Sequence, residues 1–126
     1  MGFALLGPLA LAGVLRPDDR GHGTHQQMGL PPCTFQVLFD VRCPTCGMTT
    51  SWANLVRGRL AEALSANLGG TLLCLLDMLA VPWLLCTAIT GRWVVCEPRT
   101  EVVACGLAVI LAVTLIEWTV RLTCGC

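Results

Sequence analysis

Two long apolar runs limit what this chain can fold into. The first extends from about Leu68 to Ile89, LGGTLLCLLDMLAVPWLLCTAI, and the second from about Val102 to Val120, VVACGLAVILAVTLIEWTV. A helix that crosses a bilayer needs about 20 mostly apolar residues, and both runs meet that length. The rest of the composition agrees. Hydrophobic residues make up 55% of the chain and charged residues 13%, the latter against about 25% in soluble domains. Mean hydropathy is +0.71. The reading is an all-α integral membrane protein with the bilayer as its main partner. With 8 basic and 8 acidic residues the net charge is zero, so no electrostatic field points to nucleic acid.

Between the runs lies GRWVVCEPRTE, whose Gly91, Pro98 and charges mark a tight connection. The two helices are therefore expected to be antiparallel neighbours. Trp83, Trp93 and Trp118 fall toward segment ends, where indole rings sit at the membrane surface. Residues Met1 to Leu15, MGFALLGPLALAGVL, are apolar but short of a comfortable span. They are read as a first spanning helix, with a signal peptide as the alternative: Ala10-Leu11-Ala12 resembles a cleavage site, but a positive n-region is missing. This gives three transmembrane helices (1–15, 68–89, 102–120), a polar loop over 16–47 and interfacial helices over 48–67, in one domain of 126 residues.

All basic residues are Arg. Arg16, Arg20, Arg42, Arg57, Arg59 and Arg121 share one side of this topology, and Arg92 and Arg99 the other. The positive-inside rule places the long loop in the cytoplasm.

The loop carries Cys43-Pro44-Thr45-Cys46-Gly47. A C-x-x-C spacing lets two thiolates face one centre, and Gly47 frees the backbone for the tight turn behind them. Cys33 is a third candidate ligand. Cys124 and Cys126 end the last helix on the same side, and His22 and His25 lie in the same loop. A zinc site from Cys33, Cys43, Cys46 and Cys124 or Cys126 is one reading. A thiol–disulfide pair, Cys43 and Cys46, at a helix start is a second. A structural disulfide or simple packing is a third. Thr49, Thr50 and Ser51 suit the start of the helix that follows. Beyond the motif, Met48, Trp52, Leu55, Val56, Leu60, Ala63 and Leu64 recur at helical spacing, with Ser51, Asn54, Arg57, Arg59, Glu62 and Ser65 opposite. That pattern describes an amphipathic element at the interface, broken near Gly58.

These residues resemble the bacterial small membrane proteins of the domain-of-unknown-function 2752 family, whose core reads roughly C-P-F-x7-C-P-x-C-G-[LM]-T-R, then G-D, an Ala-rich turn and N-P. Cys33 and Phe35 match the opening. Cys43, Pro44, Cys46, Gly47, Met48 and Thr49 match the centre, and Gly58, Ala63 and Asn67 the later positions. Thr34 replaces Pro in the opening, Thr50 stands in place of Arg, Arg59 in place of Asp, and Leu68 in place of Pro. The resemblance implies a multi-pass membrane protein and no particular reaction.

Asp77 falls mid-way along the first long run. A carboxylate at that depth costs about 2.5–3.5 kcal/mol, so it must face protein or water or hold a proton. Thr114 is its expected partner by depth. With Pro82 nearby, Asp77 also raises a transporter-subunit reading, or a contact within a homo-oligomer. The function read from the chain is a non-enzymatic structural, subunit or interaction protein with a cysteine-stabilised, zinc-type loop. The alternative is a membrane thiol–disulfide oxidoreductase.

Overall fold

A computed structural model describes residues 2–95 and 97–124, and among them every regular element is helical. The order is α1 (Gly2–Val14), a 3-10 turn (Thr24–Met28), α2 (Thr34–Phe39), α3 (Met48–Leu55), α4 (Leu60–Ala66), α5 (Leu68–Thr90) and α6 (Thr100–Cys124). The stretch around the cysteine motif, expected as loop, thus contains two short helical pieces. Its glycines and prolines hold them to 5 and 6 residues.

Two helices are long and apolar enough to cross a membrane, α5 with 23 residues and α6 with 25. At 1.5 Å per residue they reach about 35 and 37 Å, beyond the roughly 30 Å of a hydrocarbon core. The expected third span is corrected. α1 covers 13 residues, which is about 20 Å of helix. It packs on α3 and α5 instead. Its C-terminal carbonyls are gathered by Arg57, which donates to Ala12 O at 3.1 Å and Gly13 O at 3.0 Å. A guanidinium there satisfies carbonyls that a helix end leaves unpaired and complements its dipole. Arg57 stays exposed, as its place on the polar face implies, and reaches across to the end of α1.

α5 and α6 are antiparallel and meet at the start of one and the end of the other. A side chain at Gly69 would overlap Thr114 Oγ1, so glycine is what allows the contact. Thr114 thus packs on Gly69 and donates to Ile110 O at 2.8 Å; it is not the partner of Asp77, which lies two turns further along α5. Asp77 is buried, and its Oδ2 has no hydrogen-bond partner among the described residues.

The interior gathers at one end of this pair. Leu55, Ala63 and Cys74 form its apolar part, with Leu9 and Trp52 packed on it. Much of the rest is small and polar: Thr24, Thr50, Ser51 and Thr71 are fully buried. Ser51 and Asn54 were expected on the outer face of α3 but are buried, Ser51 because it sits against Gly70, where an added Cβ would lie 2.6 Å from its Oγ. Leu60 and Leu64, on the apolar face of the amphipathic element, are exposed. Gly58, at φ 76°, makes the break between α3 and α4.

Gly69→Leu is expected to force α5 and α6 apart and cost about 1–3 kcal/mol, the usual range for overpacking. Gly106→Leu, on the same helix pair but facing open space, should change little. Thermal unfolding of both variants in detergent is the check, and equal effects would contradict the contact.

Candidate metal centre

The motif is a double turn. Cys46 N donates to Cys43 O at 3.0 Å and Met48 N to Thr45 O at 3.1 Å. The backbone can then enter α3 only through a left-handed residue. Gly47 fills that role at φ 87°, and a Cβ there would lie 2.5 Å from Ala66 O and 2.7 Å from Gly21 O. Cys33 arrives from the other side as the N-cap of α2. The three sulfurs of Cys33, Cys43 and Cys46 all lie within 4.8 Å of one another. Cys43 and Cys46 are nearest, Sγ to Sγ 3.2 Å. Ligands about 2.3 Å from a tetrahedral zinc stand roughly 3.8 Å apart, so modest side-chain rotation opens the cluster enough to admit an ion.

Other elements hold this geometry. Asn67 Nδ2 donates to Pro44 O at 3.1 Å and to Cys46 O at 3.2 Å, while its Oδ1 accepts from Gly70 N at 2.7 Å and caps α5. Trp118 of α6 donates from Nε1 to Arg42 O at 2.6 Å, and Phe35 of α2 packs edge-on against the same indole, centroids 6.3 Å apart. Glu117 accepts from Leu68 N at 2.8 Å and pairs with Arg121, which in turn donates to Ser65 O and Ala66 O. Thr50 is joined to Thr24, Oγ1 to Oγ1 2.7 Å, in full burial. Apart from the Glu117–Arg121 pair, four apart on one helix, and the Asn67 cap on Gly70, these clamps join residues more than 20 positions apart and leave no local pattern in the sequence. The signals available were Asn67 just before an apolar run, which marks a cap, and Glu117 with Arg121 four apart at a helix end.

The thiols are not equivalent. Burial raises Cys43, but hydrogen bonds with Thr45, Cys46 and Cys33 outweigh it and leave the thiol below its ordinary value. Burial first, then hydrogen bonding to Cys43, pushes Cys46 up to about 12. Nearby, the Arg20 guanidinium bonded to Asp18 holds that carboxyl at about 2.

Of the five sulfurs considered as ligands, three are brought together. Cys124 stands exposed at the end of α6, outside the cluster, and Cys126 lies outside the described residues. Gly47 and Asn67 serve the motif directly, as turn and clamp. Thr49 lines the cavity beside the thiols, and Asp77 is remote from them, along α5.

Fold and site together define a small helical protein with two helices of membrane-spanning length and a three-thiol cluster at one end of the pair. Residues 33–87 match the family model described as Protein of unknown function (DUF2752), so over this segment the chain is similar to that family. No curated protein and no solved structure matches the chain. The matched segment opens at the first cysteine of the cluster and ends within α5, so α1, the 3-10 turn and α6 lie outside it.

Asn67→Asp keeps the acceptor that caps α5 but turns a carboxylate toward two carbonyls. It is expected to destabilise the protein by about 1–3 kcal/mol and to speed alkylation of the cluster thiols in the folded protein. Both effects are read by thermal unfolding and thiol labelling in detergent. Labelling at the native rate would show that Asn67 does not hold the motif.

Proposed function

We propose that this is an integral membrane protein of structural or interaction type, whose cysteine loop is held together by a soft divalent cation of the zinc class. The observation that carries the reading is the convergence of three thiols from two separate segments, Cys33 and the C-x-x-C turn, within 4.8 Å. Thiolate sulfur suits zinc, and a bound cation itself draws protons off its thiols, so the high value of Cys46 is no obstacle.

The membrane placement is supported by what α5 and α6 leave uncovered. Only 17% of the most apolar window of α5 is buried, and 6% of that of α6. A core helix of a soluble protein of this length would be mostly covered, whereas here Leu79, Val109, Ile116 and others stand open. Leu60 and Leu64 on α4 extend that apolar surface. Trp83 and Trp93 pack 6.0 Å apart at the far end of the pair, where an interface belt would put them. With two spans the Arg count still favours the thiol-bearing end, which we place in the cytoplasm of a bacterial cell.

The second reading, a thiol–disulfide oxidoreductase, is favoured by the 3.2 Å approach of Cys43 and Cys46 and by the lowered Cys43 thiol. In it the Cys43 thiolate attacks an acceptor disulfide and displaces one thiolate. Cys46 then resolves the mixed disulfide, passing two electrons to the acceptor. A resolving thiol held at about 12 supplies little thiolate near neutral pH. That weakness, and the presence of Cys33 in the cluster, favour the metal.

Protein purified in detergent is expected to carry about one zinc per chain, and Cys33→Ser to lose it. A Cys33→Ser protein that cycles with disulfide as well as the parent, in a metal-free parent, would move the assignment to redox. Reporter fusions to the C-terminus and to the 91–99 connection are expected to report cytoplasmic and external locations respectively. The same side for both would remove the two-span topology.

A further inference from the structure

We propose that His25 supplies the fourth ligand of the thiol centre, making it a three-cysteine, one-histidine site for a zinc-class cation. This rests on the metal reading above and goes beyond it in naming how the coordination closes. Three thiols leave a tetrahedral ion one position short, and the question is which donor the fold presents there.

The C-x-x-C turn lies between two cavities. One is lined by Cys43 and Cys46 together with His22, Arg42, Glu117 and Trp118, but Cys33 does not reach it. The other, about 330 Å³, is lined by all three thiols. Among its walls His25 is the one further side chain of a metal-binding type; the rest are Gly23, Thr45, Gly47, Met48, Thr49 and Thr50. The imidazole stands outside the 4.8 Å cluster of sulfurs, so it must turn about its side-chain bonds to close on an ion held there.

The fold keeps His25 at that wall. Its neighbour Thr24 is fully buried, joined to Thr50 Oγ1 at 2.7 Å and accepting from Asp18 N at 3.1 Å. Thr50 belongs to the first turn of α3, directly behind the motif. The 3-10 turn bearing His25 is therefore fastened to the same helix start that bears the thiols. Gly23 and Gly29, both left-handed, bound the turn and fix its short length.

Charge also favours this donor over a fourth thiolate. Three thiolates and a neutral imidazole around a divalent cation carry one net negative charge; four thiolates carry two. Arg42 adjoins Cys43 in the chain and reaches Arg20 O at 3.5 Å, which supplies positive charge nearby. His25 lies outside the segment matched to the family model.

The test uses the full chain in detergent, loaded with zinc for chelator competition and with cobalt for visible spectra. His25→Ala is expected to weaken zinc by more than about 100-fold, beyond what loss of a merely supporting group does, and to disturb the tetrahedral cobalt bands. His25→Cys should restore tight binding with a stronger sulfur-to-cobalt absorption, and His22→Ala should match the parent. If His25→Ala binds like the parent while Cys33→Ser does not, the histidine assignment falls and the thiol centre stands. A folded parent that takes up neither ion overturns both. Should His25→Ala fail to fold, His25→Cys decides, because its added sulfur absorption appears only if that position ligates the ion.

Discussion

The side chain of Asn67 joins the two halves of this molecule. Its oxygen begins α5 and its nitrogen holds the carbonyls of Pro44 and Cys46. One amide thus fixes the start of a long apolar helix and the turn that presents the thiols. The residue is almost fully buried, so its hydrogen bonds are worth most where they are made and would be costly to leave unmade. With that amide in place, residue 47 must be glycine, because a Cβ there would lie within 2.7 Å of two backbone oxygens, and α3 and α4 fold back over the beginning of α5. The interior follows: small polar side chains, Thr50, Ser51 and Thr71, pack where helix starts crowd together and larger side chains have no room.

The all-helical class and the two long helices were legible in the sequence because they rest on local content. Twenty consecutive apolar residues do not need a partner to be recognised. Gly47 and the break at Gly58 were legible for the same reason, since a left-handed turn is a property of one residue. What was not legible depends on distant partners. Ser51, Asn54 and Arg57 look like the polar face of an amphipathic helix. Ser51 turns inward because Gly70 leaves a hollow for it, and Arg57, though exposed, is tied to the end of α1 by unpaired carbonyls there. The apolar N-terminal segment looked like a span until its length as a helix, 13 residues, and its packing on α3 and α5 were known.

At the site, the spacing of Cys43 and Cys46 marked the turn, and Cys33 was a fair third candidate. The far donors were beyond reach. Cys124 was a candidate only because topology puts the end of α6 on the same side, and sharing a side of a membrane is a much weaker condition than sharing a centre a few ångströms wide. The same reasoning explains the departures from the family pattern. Leu68 stands where the pattern has proline, and its N–H donates to Glu117; proline has no such donor. Thr50 stands where the pattern has arginine, and its hydroxyl is buried against Thr24, a place no guanidinium could share. Both substitutions meet partners in α6 or the 3-10 turn, outside the matched segment.

That coincidence ties the elements outside the matched segment to the centre. α6 contributes Trp118 to the residue before the motif, and Glu117 and Arg121 to the junction of α4 and α5. The 3-10 turn contributes Thr24 and His25. The matched segment supplies three sulfurs and the amide that holds the turn bearing two of them, and the flanking elements supply part of the walls. Among the described residues the buried apolar side chains are few and mostly small, with alanines beside Leu15, Leu55, Cys74 and Val81, so the hydrophobic effect alone gives this junction weak support. A cation drawing Cys33 to the C-x-x-C turn would link α2 to α3 where packing does not, and lipid around α5 and α6 would account for the surface that packing leaves open.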